Sequence, residues 1–224
     1  MKLTQIIDHI EQPQLVEARK YPRTFHMPYT LSSTADDKIL KSDKAFINKE
    51  VVVTEKMDGE NTGLSRSGIH ARSLTGYNNP WQSMVKQKYY TIQHKIPPDI
   101  ELYGENMFAK HSVEYDELSD VLFIFLIMRN EDTILSWEDT KQICEDIGLS
   151  TVPVIYEGPY KQMDIPESSF FGGQIEGFVV RNKARFKLED WKDNLAKVVR
   201  KGHVQTDRHW TKNWKKSKIN ITNQ

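Results

Sequence analysis

The chain has 224 residues, with 31 Lys and Arg balanced by 31 Asp and Glu, and one cysteine, Cys144. That length can bury a core without disulfide or metal staples, and a lone cysteine excludes an internal disulfide and fits a reducing, intracellular setting. The opening Met1-Lys2-Leu3-Thr4 begins no apolar leader, and the longest apolar run, Val121–Met128, is far too short to span a bilayer; the expectation is a soluble, cytoplasmic protein with no membrane partner.

In chain order, residues 5–19 carry a weak helical pattern interrupted by Pro13, and residues 21–38 are polar, contain proline and read as irregular. Residues 45–56 read as a strand, because the β-branched run Val51-Val52-Val53-Thr54 leads straight into Glu55-Lys56. Asp58-Gly59 is a turn signal, and residues 62–73 supply one or two further strands. Pro80 suits the first position of a helix reaching about His94. Strands follow over residues 99–103 and 121–128. Ser136 with Asp139 three residues later marks the start of the next helix, in which Ile143 and Ile147 share a face and Cys144 reads as a buried structural thiol. Residues 152–156, 177–181 and 185–188 read as strands, and residues 194–201 as a short helix. Strand pairs outnumber regular strand–helix alternation, so the fold class is α+β with mainly antiparallel sheets flanked by helices. No linker divides the chain, which reads as one domain: a lead-in over 1–44, a core over 45–190 and a basic segment over 191–224.

Charge is unevenly placed. From Arg181 onward there are 13 Lys and Arg against 4 Asp and Glu, leaving the preceding part acidic. Such a segment can hold polyphosphate or a nucleic-acid backbone, or can be a solvated charged face. Trp191, Trp210 and Trp214 interleave with the charge, which favours binding, since bases and guanidinium groups stack on such rings.

The chemistry centres on Glu55-Lys56-Met57-Asp58-Gly59-Glu60-Asn61. Alone, it reads as a surface lysine before a hairpin turn. Its company gives it meaning: Glu105 just after a strand, Phe123 and Phe125 on another, Glu176 at the mouth of a third, and Arg185 and Lys187 on one face of a fourth, as a period of two requires. With Ala71-Arg72-Ser73, this ordered set resembles the covalent nucleotidyltransferase superfamily of ATP-dependent DNA ligases, RNA ligases and mRNA capping enzymes. The likeness runs from about residue 50 to 190. Asn61 and the closing run Lys197–Trp210 resemble compact RNA ligases of phage and bacterial type, as does the lack of room after Lys187 for an OB-fold domain. One departure is Arg185, where many ligases carry a lysine; its planar fork meets phosphate differently.

The resemblance implies a nucleotidyltransferase domain that is an ATP-dependent RNA ligase, acting in RNA repair on 5′-phosphate and 3′-hydroxyl ends or a nicked duplex. An end-healing kinase or phosphatase would be its companion. Lys56 would be the nucleophile that forms a lysine adenylate with ATP, and Glu105, Glu176 and Asp58 would hold Mg²⁺, or Mn²⁺, in part through water. Arg185 and Lys187 would face the α-phosphate, Arg72 the ribose or acceptor strand, Phe123 and Glu55 the adenine, and Asn61 the joining step. Arg200, Lys201, His203 and His209 are candidates for the outer phosphates, with Arg23 and His26 as further phosphate candidates. An amine attacks only when neutral, and baring a lysine of ordinary pKa at neutral pH costs on the order of 4 kcal/mol. Carboxylates alone push the wrong way, so they make sense as holders of a hard cation. The alternatives are a nick-sealing DNA ligase with the same adenylate chemistry and a non-catalytic RNA-binding homologue.

Overall fold

The computed structural model describes residues 15–34, 37–74, 76–202 and 213–220. In chain order the strands are β1 (Phe25–His26), β2 (Glu50–Glu55), β3 (Glu60–Ser65), β4 (Ile69–Ala71), β5 (Ile100–Asn106) and β6 (Leu122–Arg129). They continue with β7 (Thr133–Ile134), β8 (Ser150–Thr151), β9 (Val154–Pro159), β10 (Gly177–Asn182), β11 (Phe186–Lys187) and β12 (Leu195–Val199). The helices are α1 (Ser83–Ile92), α2 (Trp137–Ile147) and α3 (Trp191–Asn194).

Two sheets organise these elements. The first runs β1-β12-β10-β2-β9, and the second runs β11-β7-β6-β5-β3-β4 with β8 beside β6. All pairings are antiparallel except β1 with β12 and β6 with β8. Val51, Val52 and Val53 are all buried because β2 is an inner strand covered on both faces. Each such side chain contributes about 1.5–3 kcal/mol by leaving water. Below the second sheet, Tyr89 and Ile92 of α1 and Cys144 and Ile147 of α2 pack on Leu102 and Ile124. Burial pushes the Cys144 thiol up to about 12, as suits an inert core group.

Local sequence explains the helix ends. Pro80–Gln82 forms a 3-10 turn with a capping box from Asn79, and α1 follows directly. Asp139 N donates to the Ser136 hydroxyl at 3.1 Å, so the expected cap forms, and Gly148 closes α2 with φ of +79°.

Four expectations need correction. Asp58-Gly59 turns no hairpin: β2 and β3 lie in different sheets, and the Lys56–Gly59 link crosses between them. Gly59 is needed there for space, since a Cβ would sit 2.4 Å from the Asn106 carbonyl oxygen. Residues 194–201 are mostly strand β12, held between β1 and β10. The stretch 185–188 yields only two strand residues. Of the weak helix over 5–19, residues 15–19 are irregular and the remainder lies outside the described residues.

Candidate active site

Strand register builds a cleft of about 310 Å³ from both sheets. Val179 on β10 pairs with Thr54 on β2 and with Lys197 on β12. One cross-strand row of the first sheet thus presents Thr54, Val179 and Lys197 to the cleft. In the second sheet Asn61 pairs with Glu105, and both line the opposing wall. Lys56 enters where β2 ends, with its backbone N–H donating to Gly177 O at 3.0 Å. That contact sets Glu176, the residue before β10, beside Lys56. Gly177 is required by its φ of +157° and by a Cβ position only 2.0 Å from Val198 O.

The nucleophile candidate lies on an acidic side of the cleft. Lys56 Nζ donates to Glu176 Oε2 at 2.6 Å. Burial alone would lower the Lys56 pKa, but Glu176, Glu105 and Asp58 together drive it above the ordinary lysine value. Burial, with Glu176 and Asp58 nearby, pushes Glu105 up to about 8 against the pull of Lys56 and the Gly59 N–H at 3.1 Å. Glu176 is raised by burial and Asp58 against the pull of Lys56. Asp58 itself is turned toward structure: its Oδ2 accepts from Val113 N at 2.7 Å, and its N–H donates to the Tyr115 hydroxyl oxygen at 2.8 Å.

The other side is cationic. Lys197 is held below the ordinary lysine value, by burial first and then by Lys56 and Arg72, against Asp37 and Glu176. Arg181 is buried and lines the cleft; its guanidinium donates to the Leu135 and Phe125 carbonyls, and desolvation lowers its pKa to about 10. The segment Tyr21–Thr24 closes the cleft. Arg72 Nε donates to Tyr21 O at 3.4 Å, and the Tyr21 ring packs on Tyr103, Phe125 and Trp191.

The structure brings together Lys56, Glu55, Asn61, Arg72, Glu105 and Glu176 from the sequence reading, with Arg23 at the rim. It separates others. Lys187 is exposed on the short β11 and donates to Asp132 at 2.9 Å and Thr133 at 2.8 Å; Arg185 is 73% exposed, 3.9 Å from Asp139. Neither lines the cleft, because β11 is a two-residue edge strand beside β7, separated by β7 and β6 from the β5 and β3 residues that do. Phe123 is 2% exposed and packs on Phe171 in the core. An irregularity opposite Tyr103 and Gly104 makes Phe125 an extra residue on β6, and Phe125 reaches the cleft instead. Asp58 and His26 are also outside its lining; His26 is buried, with Nδ1 3.2 Å from the Thr30 hydroxyl and Nε2 3.2 Å from Asp37. Arg200 donates its backbone N–H to Glu176 O but lies outside the cleft, as does the exposed Lys201; His203, His209 and Trp210 lie outside the described residues. Trp191 is a core residue.

Sequence reasoning missed Lys197, Phe125, Arg181, Asp37 and Tyr21 as lining residues. Only Phe125 carried a local signal, its place beside Phe123. Among the described residues no three His, Cys, Asp or Glu side chains converge tightly enough to grip an ion directly. The donors nonetheless suit a hard cation held through its waters: the buried Glu176 and the part-buried Glu105 share the acidic side, and Asn61 Oδ1 and Glu55 Oε1 are buried without a hydrogen-bond partner.

A family model described as RNA ligase matches residues 49–199. No curated protein matches by sequence. Among solved structures the chain is similar to an RNA ligase from Naegleria gruberi. One variant of that enzyme, with ATP and Mn, is 14% identical with a TM-score of 0.53, over 73% of this chain and 53% of that one. Another with ATP and Mn is 12% identical, also at 0.53, over 83% and 61%. The same ligase with PPi is 14% identical at 0.51, over 70% and 51%. The chain therefore spans little more than half the length of the solved ligases it matches, and the likeness is one of fold: mixed α+β with antiparallel sheets.

Proposed function

This chain belongs to the RNA ligase family, and on that premise we propose that it joins RNA ends with ATP through a covalent adenylate on Lys56. The observation that carries the reading is the part-buried Lys56 amine, 2.6 Å from Glu176, in a cleft that also holds Lys197, Arg72 and Arg181. A nucleotidyltransferase domain needs that pairing of a lysine with surrounding cations, because phosphoryl transfer relies on positioning and on charge around the transferred group.

In the reaction, Lys56 Nζ bonds to the α-phosphorus of ATP and the bond to pyrophosphate breaks. AMP then passes to an RNA 5′-phosphate, and a 3′-hydroxyl displaces it to form the phosphodiester. Mg²⁺ or Mn²⁺, when bound, supplies positive charge beside the α-phosphate and offsets Glu105 and Glu176. The remaining roles belong to the chain. With three carboxylates raising its pKa, Lys56 is held as an ammonium ion until their charge is countered. Lys197 on β12 lines the same cleft and would meet the α-phosphate, the role that the resemblance implied for Lys187. Phe125 and Tyr21 offer apolar surface for adenine, and Glu55 Oε1 an acceptor for its amino group. Asn61 Oδ1 faces the RNA end, and Arg72 the ribose or strand phosphate.

The test is incubation with α-labelled ATP and a divalent ion, followed by denaturing electrophoresis. Wild type carries acid-labile label, and Lys56→Ala carries less than about a hundredth of it. Undiminished label on the variant would move the nucleophile elsewhere.

A further inference from the structure

Near the end of the chain, the described residues 213–220 lie against a neighbouring loop. Residues 214–220 run along Phe108–Leu118, with Lys110 N donating to Lys215 O at 2.8 Å, Ser217 N to Phe108 O at 3.0 Å and Leu118 N to Lys218 O at 2.9 Å. This pairing lays Trp214 against two further rings. Its centroid is 5.7 Å from Phe108 and 6.4 Å from Trp81. Lys216 Nζ lies 5.6 Å from the centre of Phe108.

The surface adjoins the nucleophile loop. Val113, within the covered loop, holds Asp58, and Trp81 Nε1 donates to Glu60 at 3.2 Å, next to Asn61. Lys215, Lys216 and Lys218 are exposed. Lys110 and Lys218 share Glu114, and Glu117 accepts from Asn220. Lys215 is also within electrostatic reach of Glu114, and among the described residues no carboxylate forms an ion pair with Lys216.

We propose that Trp214 and Trp81, with Lys215 and Lys216, form a docking surface for an unpaired stretch of the RNA whose end is sealed. This rests on the ligase reading and adds a substrate class to it. Cations beside half-buried rings suit a strand whose bases expose their faces; a paired duplex keeps those faces stacked internally. The two lysines would contact phosphates and the rings would take one or two bases, guiding the strand past Asp58 toward Asn61.

The test uses the full chain and measures anisotropy of a labelled, 5′-phosphorylated single-stranded RNA and of a nicked RNA duplex. Trp214→Ala should weaken single-strand binding about tenfold, with Trp214→Phe retaining most of it. Lys215→Ala with Lys216→Ala should flatten the salt dependence, lowering the log–log slope by about 1.4. Duplex binding should change less than about twofold, and Lys56 labelling by ATP should stay within about twofold in every variant. Wild-type affinity in Trp214→Ala would overturn the proposal, as would equal loss on the duplex or a parallel loss of labelling. Failure of wild type to take label would sink the ligase reading instead, while the anisotropy would still report on the surface.

Discussion

Lys56 and Lys197 line the same cleft, both part-buried, and are driven in opposite directions. Burial disfavours the ammonium form of each. At Lys56, Glu176, Glu105 and Asp58 overcome it and raise the pKa; at Lys197, Lys56 and Arg72 add to it and outweigh Asp37 and Glu176. Under the proposed function, the comparison means that a nucleophile is not identified by a depressed pKa alone. By that criterion Lys197 would be chosen, yet Lys56 is the residue at the carboxylates that can hold a cation. On the proposed reading, the acidic side stores the lysine charged and paired until the carboxylates are countered, and Lys197 and Arg72 would meet phosphate oxygens.

The sharpest way to break this division is to remove the second lysine. Lys197→Ala should lower labelling by ATP on the order of 100-fold, with the residual label mapping to Lys56 by peptide analysis. Lys187→Ala, which loses only surface contacts to Asp132 and Thr133, should stay within about twofold. Label found on Lys197, or a larger loss from Lys187→Ala, would reverse the assignment.

That contrast also marks where the sequence was readable. The run into Lys56, Glu176 at the mouth of β10 and the capped start of α2 are short-range signals and take their expected places, whereas Glu105 lies inside β5 and not just after a strand. Lys197 was not readable for two physical reasons. In β12 the apolar residues Leu195, Ala196, Val198 and Val199 are all buried, so Leu195-Ala196-Lys197-Val198-Val199 shows no period-two alternation, and its apolar spacing mimics a helix. Its position opposite Thr54 also depends on β10 lying between β2 and β12, a long-range arrangement that no local pattern encodes. Arg185 and Lys187 shared the expected alternation, but alternation fixes a face and not a sheet. Phe123 was preferred to Phe125 because an irregular register cannot be seen in one strand's sequence.

A smaller effect sharpens the acidic side. Glu105 is raised to about 8, from an unfolded value of 4.5, so the unfolded chain gives up this proton first as pH rises. Stability is therefore lost between about pH 4.5 and 8. Lys56, raised above 10.5, keeps its contribution below that value and does not vary across this window. Glu105→Gln should flatten the decline in melting temperature between pH 5 and 8.5, by about 3 °C for each 1 kcal/mol of strain relieved. Mn²⁺ should raise the melting temperature at pH 8.5 more in wild type than in the variant. An unchanged slope would mean that Glu105 is ionised without cost.

The smallest effect tests the cationic side. Asp37 accepts from Thr34 N at 2.9 Å and Thr34 Oγ1 at 3.0 Å, and stands 3.8 Å from Lys197 Nζ. Burial would raise its pKa, but the Thr34 donors, Lys197 and His26 hold it at about 2, so it is charged throughout the working range. Asp37→Asn keeps most of the shape and removes a charge that favours the Lys197 ammonium form. If Lys197 must be charged to meet phosphate, the variant's labelling should fall less than about threefold at pH 7 and further behind wild type at pH 9. Raising pH also favours the neutral Lys56 amine in both proteins, so the ratio of variant to wild type is the quantity that isolates Lys197. A ratio constant from pH 7 to 9 would mean that Asp37 holds the loop in shape and leaves the lysine's charge alone.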